Sequence, residues 1–146
     1  MDRPRLKRTV DAVESAAGDI YILRPGADSD LVIEQPDRVA RELLTALDGS
    51  LSADELGRRF GADRVSAALT DLGAAALLAD AADDERSSPR DRARYDRQLR
   101  YFSDLADGST PPSEYHRRVR SARVAILGVG GLGSWAAYAL ACCGVG

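Results

Sequence analysis

The chain has 146 residues, of which 45% are hydrophobic and 29% are charged, and its formal net charge is −3. This length suits one domain, or one small domain and part of a second, and the composition is typical of globular proteins. The acidic balance argues against a dedicated nucleic-acid binder. The N-terminus has no apolar segment behind its basic residues, and the longest apolar stretch is too short to span a bilayer, so a cytoplasmic protein without membrane contacts is expected.

Residue types that carry common catalytic chemistry are scarce. Lys7 is the only lysine, and the only cysteines, Cys142 and Cys143, are adjacent and unsuited to a disulfide framework. His116 is the only histidine and is expected in an exposed basic helix, without a serine, cysteine or aspartate partner at a telling spacing. The sequence therefore predicts no metal site and no catalytic residue in this chain.

The first third of the chain predicts a small antiparallel sheet. Residues 9–15 alternate weakly, and residues 19–23 are rich in β-forming residues and end at the turn signal Arg24-Pro25-Gly26. Residues 31–33 form a further short strand after a longish loop. A sheet of two or three strands needs helices on one face to be stable.

Three short helices are predicted next. The first begins at Pro36 and ends before Asp48-Gly49, and the second has a capping box from Ser52 to Glu55. The third runs from residue 63 or 64 to Leu72 and is followed by an apolar tail at 76–78. Together with the sheet they predict an α+β, winged-helix-like module over residues 1–80.

Residues 81–94 are charged, have no apolar period and are interpreted as a linker. Two helices and an intervening loop at 107–112 are expected before an apolar strand at 124–127. A final helix from Ser134 to about Cys143 is apolar on all sides, which is typical of a helix buried in a larger fold.

The strand at 124–127 is followed by glycines in the pattern Gly128-x-Gly130-x-x-Gly133. Between a strand and a helix, this pattern favours a turn that presents helix N–H groups to a phosphate. A NAD- or FAD-binding Rossmann enzyme has the same glycines, and a glycine-rich turn without a ligand is the plainer alternative.

The stretch Gly128 to Ser134 resembles the nucleotide loop of the ThiF/MoeB/E1-like adenylyltransferases. Upstream, residues 94–100 (Arg-Tyr-Asp-Arg-Gln-Leu-Arg) are similar to the element that opens the same domain. The resemblance implies a Rossmann-like α/β domain beginning at residue 95, ATP as cofactor of the parent protein, and a homodimer. It implies a nucleotide site formed by Gly128, Gly130, Gly131, Gly133 and Ser134, with Arg97 reaching the triphosphate of the opposing subunit.

One strand and one helix cannot complete a Rossmann sheet. The later acidic residue, lysine and aspartate of the ThiF-like family have no counterpart in residues 95–146. The expectation is that this segment is the incomplete start of such a domain, and that the chain by itself does not adenylate a substrate.

The pattern of residues 5–80 resembles the PqqD-type domains that bind leader peptides of ribosomally synthesised, post-translationally modified peptides. The resemblance implies that a leader adds as a strand to the open edge of the third strand and lies against the third helix. The implied contact residues are Leu31, Val32, Ile33, Glu34, Gln35, Val65, Ala68, Leu69 and Leu72.

A winged-helix DNA regulator is the alternative for this half. Its third helix would carry Asp63, Arg64 and Asp71, a net negative surface that repels phosphate. A PqqD-like module before a ThiF-like domain instead implies leader-peptide binding and presentation by an adenylyltransferase, or by a partner of a cyclodehydratase or another peptide-modifying enzyme.

Overall fold

The computed structural model describes residues 1–24, 30–106 and 110–146 and has an α+β fold. It divides into two compact units, Met1–Glu85 and Arg86–Gly146. The predicted turn at 25–26 and part of the predicted loop at 107–112 lie outside the described residues. The strands are β1 (Pro4–Leu6), β2 (Asp11–Glu14), β3 (Ile20–Leu23), β4 (Leu31–Ile33) and β5 (Leu78–Asp80). The α-helices are α1 (Arg38–Ala46), α2 (Ala53–Phe60), α3 (Ala62–Ala74), α4 (Pro89–Arg94), α5 (Asp96–Leu105), α6 (Pro112–Ser121) and α7 (Gly131–Cys142).

Strands β2, β3 and β4 form an antiparallel sheet in that order, as the sequence predicts. Successive side chains alternate between its two faces, so Ile20 and Ile22 of β3 are buried whereas Tyr21 is exposed. β4 is hydrogen-bonded to β3 alone, and within the described chain its other edge has no strand beside it. Within the described chain, the sheet therefore has an open edge at β4.

A second, two-stranded sheet of β1 and β5 was not predicted. Pro4 pairs with Asp80 and Leu6 with Leu78 in antiparallel register. β1 is short and begins with a proline, so its local sequence carries no strand signal. It forms because the end of the helical segment supplies a partner.

The helices of the first unit begin at side-chain caps. The Asp37 carboxylate accepts a hydrogen bond from the Ala40 N–H, so α1 starts after Asp37, and the prediction that Pro36 opens this helix is wrong. The predicted capping box of α2 is confirmed: Ser52 Oγ accepts from the Glu55 N–H, and Glu55 accepts from the Ser52 N–H at 2.8 Å.

Two apolar clusters form the core of this unit. One lies among the three helices and β5 and contains Leu43, Leu47, Leu56, Phe60, Val65 and Leu78. The other lies under the sheet and contains Ile20, Ile22 and Leu77. Leu6, Leu44 and Leu72 pack against both clusters and so link the sheet to the helices.

The second unit departs from the sequence expectations at several points. The segment interpreted as a linker contains a 3-10 helix (Ala81–Arg86) and α4, whose cap is Ser88. His116 is 3% exposed, so its expected place in an exposed helix is wrong: α6 turns it toward the Tyr95 ring, whose centroid lies 4.6 Å away.

The strand expected at 124–127 is not formed, because no described segment lies beside it to pair with its backbone. Helix α7 is present but begins at Gly131, three residues before the predicted start. Within the described chain none of its residues is buried, and Leu132 and Trp135 are 91% and 72% exposed, so its burial in a larger fold stays a prediction. Its apolar surface has no covering element among the described residues.

The carboxylate of Asp80 holds β1 in place. It accepts hydrogen bonds from the backbone N–H groups of Asp2 (2.7 Å), Arg3 (3.0 Å) and Ala82 (3.0 Å). Burial alone would raise the pKa of this carboxyl, but the three N–H donors outweigh it and leave the pKa below the ordinary value of 3.8.

Replacing Asp80→Asn should lower the free energy of unfolding by about 1 kcal/mol at pH 7, because hydrogen bonds to a charged acceptor are lost. Because the pKa of Asp80 is lowered in the folded protein, its contribution to stability is fully present above the ordinary carboxyl pKa. This contribution is lost as the pH falls through the pKa of the folded state. Urea unfolding of both proteins at pH 7 and pH 3 should therefore show a smaller difference at pH 3. An equal difference at both values would mean that the charge of Asp80 does not contribute.

Candidate functional site

A groove of about 740 Å³ lies between β4, α1 and α3 in the first unit, and we call it the β4–α3 groove. The wall from β4 and its end consists of Leu31, Val32, Ile33 and Gln35, and α3 contributes Ala68, Asp71 and Leu72. Six of the nine residues predicted for peptide contact therefore line one groove. Apolar walls beside an open strand edge suit an extended peptide, whose backbone can bond to the strand while alternate side chains enter the groove.

The other three predicted residues do not line this groove. Val65 is buried in the helical core, and Leu69 faces a separate cleft between α2 and α3. Glu34 is exposed beyond the end of β4. Because α3 turns once every 3.6 residues, Val65 and Leu69 share one side, whereas Ala68 and Leu72 lie nearer the sheet.

Helix α1 contributes residues that the sequence did not assign to a site. Ala40, Leu43, Leu44 and Leu47 line the groove, and they are part of the apolar stripe that indicates only that this helix is packed. Leu43 and Leu47 are also core residues, so their apolar spacing gives no separate sequence signal for a groove. The opposite wall of the groove therefore comes from a helix that looks purely structural.

An ion pair joins two helices at the rim of the groove. Arg64 of α3 donates to both oxygens of Asp37, at 2.7 and 3.0 Å, and Asp37 also caps α1. The Ala40 N–H and the Arg64 guanidinium hold the pKa of Asp37 below its ordinary value. The pair links the starts of α1 and α3 at this end of the groove.

The end of β4 is fixed by Gln35, which has a positive φ of 42°. Its backbone N–H donates to Asp19 at 2.9 Å, and its side-chain amide donates to the Ala17 carbonyl at 2.9 Å. The side-chain amide of Gln35 is therefore already hydrogen-bonded within the protein. Gln35 thus positions the end of the edge strand, whereas Leu31 and Ile33 provide apolar surface.

The glycine loop, Gly128 to Ser134, lies in the second unit and leads directly into α7. Gly128 has φ +93°, a conformation that favours glycine, and a Cβ at Gly133 would collide with the Gly128 carbonyl oxygen. The start of α7 has no side-chain cap, and the Ser134 hydroxyl donates to the carbonyls of Gly130 (2.9 Å) and Gly131 (3.1 Å). Among the described residues, the first N–H groups of α7 therefore have no side-chain cap.

Gly130 and Gly131 differ from these two glycines. Gly130 has an ordinary φ of −68°, and a Cβ at either position would meet no atom of the described chain within 4 Å. The fold of the described residues therefore gives no reason for glycine here. Space for a close ligand is a reason that remains, because a side chain would stand in front of the uncapped helix start.

Arg97 lies on the first turn of α5 and is exposed. It forms no hydrogen bond or ion pair within the described chain, including with the glycine loop. The structure thus leaves the arginine and the loop as separate features of the second unit.

Comparison with known proteins gives matches for both units. Residues 95–146 match the ThiF family. Curated protein sequences give no match. The crystal structure of PaaA is 30% identical to this chain, with a TM-score of 0.66, and the match covers 96% of this chain and 43% of PaaA.

Two further crystal structures share the fold at lower identity. E. coli MccB, solved with AMPCPP and MccA, is 19% identical with a TM-score of 0.64, and the match covers all of this chain and 41% of MccB. A heterocyclase solved with substrate and cofactor is 14% identical with a TM-score of 0.57, covering 97% of this chain and 18% of the heterocyclase. The chain thus spans about two fifths of the length of PaaA and of MccB.

No helix of the described residues is both long enough and apolar enough to cross a lipid bilayer. The solved structures of PaaA and MccB share the fold of this chain and extend well past the length matched here. Residues 95–146 are thus similar to the ThiF family, as the glycine loop and the Tyr95–Gln98 element predict.

Proposed function

We propose that residues 1–80 form a PqqD-like, winged-helix module that binds the leader of a ribosomally made precursor peptide. The observation that carries this proposal is the β4–α3 groove beside the open edge of β4. The leader pairs with the backbone of residues 31–33 and places alternate apolar side chains against Ala68 and Leu72. MccB was solved with MccA and the heterocyclase with its substrate, which supports a protein that holds such a substrate.

The charges of this groove oppose the alternative of DNA binding. Asp37 neutralises Arg64, and Asp71 adds a carboxylate on the same helix. A winged-helix DNA reader places such a helix in the major groove, where phosphate attraction supplies most of the non-specific affinity. A groove without net positive charge favours a peptide.

In the parent protein, we propose, the ThiF-like domain binds ATP at the glycine loop and acts as a homodimer. It then either adenylates the bound peptide or presents it to a cyclodehydratase or another modifying enzyme. Within the described chain, the fold does not require glycine at Gly130 or Gly131, and this supports a nucleotide site beside them. AMPCPP, an analogue of ATP, was present in the MccB structure, which supports ATP as the ligand in preference to NAD or FAD.

Replacing Ala68→Arg should weaken leader binding at least about tenfold, because it places a desolvated charge in the groove. Ala67→Arg is the matched control, since Ala67 is exposed on the same helix and does not line the groove. Fluorescence anisotropy with leader peptides encoded beside the gene measures the affinity, and circular dichroism checks folding.

If Ala68→Arg fails to fold, Asp71→Lys in the groove and Asp63→Lys outside it form a second matched pair, both at exposed positions of α3. Asp71→Lys should then change leader affinity while Asp63→Lys does not. Equal effects within either pair would remove the groove as the site. Salt-sensitive binding to duplex DNA, with none to any leader, would favour the regulator.

Replacing Gly130→Ala should reduce ATP binding at least about tenfold while leaving thermal stability unchanged, because the added methyl meets only the space assigned to phosphate. Gly133→Ala should lower stability as well, since its methyl collides with the Gly128 carbonyl. Calorimetric titration and thermal unfolding of the parent protein test this. Unchanged ATP affinity in Gly130→Ala would count against the site, and tight NADH binding with none for ATP would favour a dehydrogenase.

Replacing Arg97→Ala should weaken ATP more than AMP, because the resemblance assigns this arginine to the terminal phosphates. Arg100→Ala is the control on the same helix, where Arg100 is already paired with Asp96 at 2.9 Å. Titrations of the parent protein with both nucleotides distinguish the two outcomes. Equal losses for ATP and AMP would remove the assignment to Arg97.

A further inference from the structure

A second cavity, of about 310 Å³, lies in the second unit between α4 and α6, and we call it the arginine cavity. Every residue that lines it is polar or charged, so it suits an ion or water better than an apolar group. None of the glycine-loop residues takes part. The lining residues are Arg86, Ser87, Ser88, Asp91, His116, Arg117, Arg120 and Ser121.

His116 brings an unsatisfied polar group to this cavity. The residue is 3% exposed, and neither Nδ1 nor Nε2 has a hydrogen-bond partner in the described chain. Burial lowers the pKa of the ring, Arg120 acts in the same direction, and Asp91 opposes them, so the imidazole is neutral at pH 7. A neutral imidazole carries one N–H donor and one acceptor nitrogen, and leaving both unpaired in a buried position is unfavourable.

The charges that face the cavity are mainly positive. Arg86 precedes α4, Arg117 and Arg120 come from α6, and Asp91 of α4 is the single carboxylate in the lining. Arg120 Nη1 donates to Asp91 at 2.7 Å, and Arg117 pairs with Glu114 through Nε and Nη2, so each guanidinium retains further N–H donors. The N–H donors of Arg117 and Arg120 that these carboxylates do not use can bind an anion.

We propose that the arginine cavity binds a phosphate-type oxyanion, held by the guanidinium groups of Arg117 and Arg120 and by the N–H of His116. Planar guanidinium groups match the oxygens of a tetrahedral anion, and the Ser87 and Ser88 hydroxyls lie in the same lining. The anion is either free phosphate or pyrophosphate, or the phosphate group of a nucleotide. This site is independent of the peptide groove and of the glycine loop.

The direct test is titration of the complete chain with inorganic phosphate, pyrophosphate and AMP, followed by calorimetry and by the ¹⁵N signals of His116. Arg120→Gln should weaken binding about tenfold or more. Asp91→Asn breaks the same ion pair but removes the negative charge, so it should tighten binding. If binding depended only on the ion pair, both variants would change the affinity in the same direction. The opposite changes expected here therefore distinguish anion binding from a structural effect.

Arg118→Gln is the matched control, because Arg118 lies on the same helix but outside the lining. Binding that falls in Arg120→Gln and not in Arg118→Gln, with a shifted His116 signal, supports the site. Equal losses in both arginine variants, or no shift of the His116 signals, would indicate diffuse surface attraction and overturn it. Binding of AMP alone that Gly130→Ala abolishes would place the anion at the glycine loop instead, and would also overturn the proposal.

Discussion

The first strand is the constraint on which the rest of the first unit depends. Its backbone is bonded on several sides: the Leu6 N–H donates to the Leu47 carbonyl at the end of α1, and the Lys7 N–H to the Leu77 carbonyl beside β5. The Ala53 N–H at the start of α2 donates to the Asp2 carbonyl, and Asp80 closes the arrangement from β5. One short strand thus fixes the ends of three other elements, which is why a small unit with two separate apolar clusters can hold a definite geometry.

The groove is a consequence of this arrangement. β5 directs Leu77 into the cluster under the sheet and Leu78 into the cluster among the helices, so α3 must lie where it can contact both. Val65 fills the helical cluster, while Ala68 and Leu72 are left at the border with the sheet. Because Ala68 is small, α3 and β4 do not close over this border, and apolar surface remains open beside an unpaired strand edge. The proposed peptide site is thus formed by the border between two packed layers and not by a specialised loop.

Features encoded locally were predictable from the sequence, whereas those set by distant partners were not. The capping box at Ser52 and the strand predicted at residues 19–23 depend on neighbours in the chain, and the structure contains both. β1 has no such signal, since its partner lies at the other end of the unit. Likewise, the burial of His116 depends on how α6 packs against the Tyr95 ring, which a basic helical sequence does not reveal.

The candidate sites divide in the same way. The β4 and α3 walls of the groove follow from a family resemblance, but the α1 wall does not, because a residue that lines a groove and one that fills a core have the same apolar pattern. In the glycine loop, the sequence gives four glycines of equal weight. Only the backbone separates Gly128 and Gly133, which the loop itself requires, from Gly130 and Gly131, which it does not.

Arginine, which far outnumbers lysine in this chain, links separate elements at several positions, and this bears on how Arg97 is interpreted. A guanidinium can bond in several directions at once, and Arg41 does so by joining Glu14, the Gly18 carbonyl and the Pro36 carbonyl. Arg5 similarly donates hydrogen bonds to both carboxylate oxygens of Asp84, at 2.6 and 3.0 Å. In a protein that uses arginine to fasten its own elements, an exposed arginine without such bonds is no sign of function by itself, and Arg58 and Arg123 are further examples. What distinguishes Arg97 is that it lies in the Tyr95–Gln98 element, within the residues that match the ThiF family, and this position supports its proposed role.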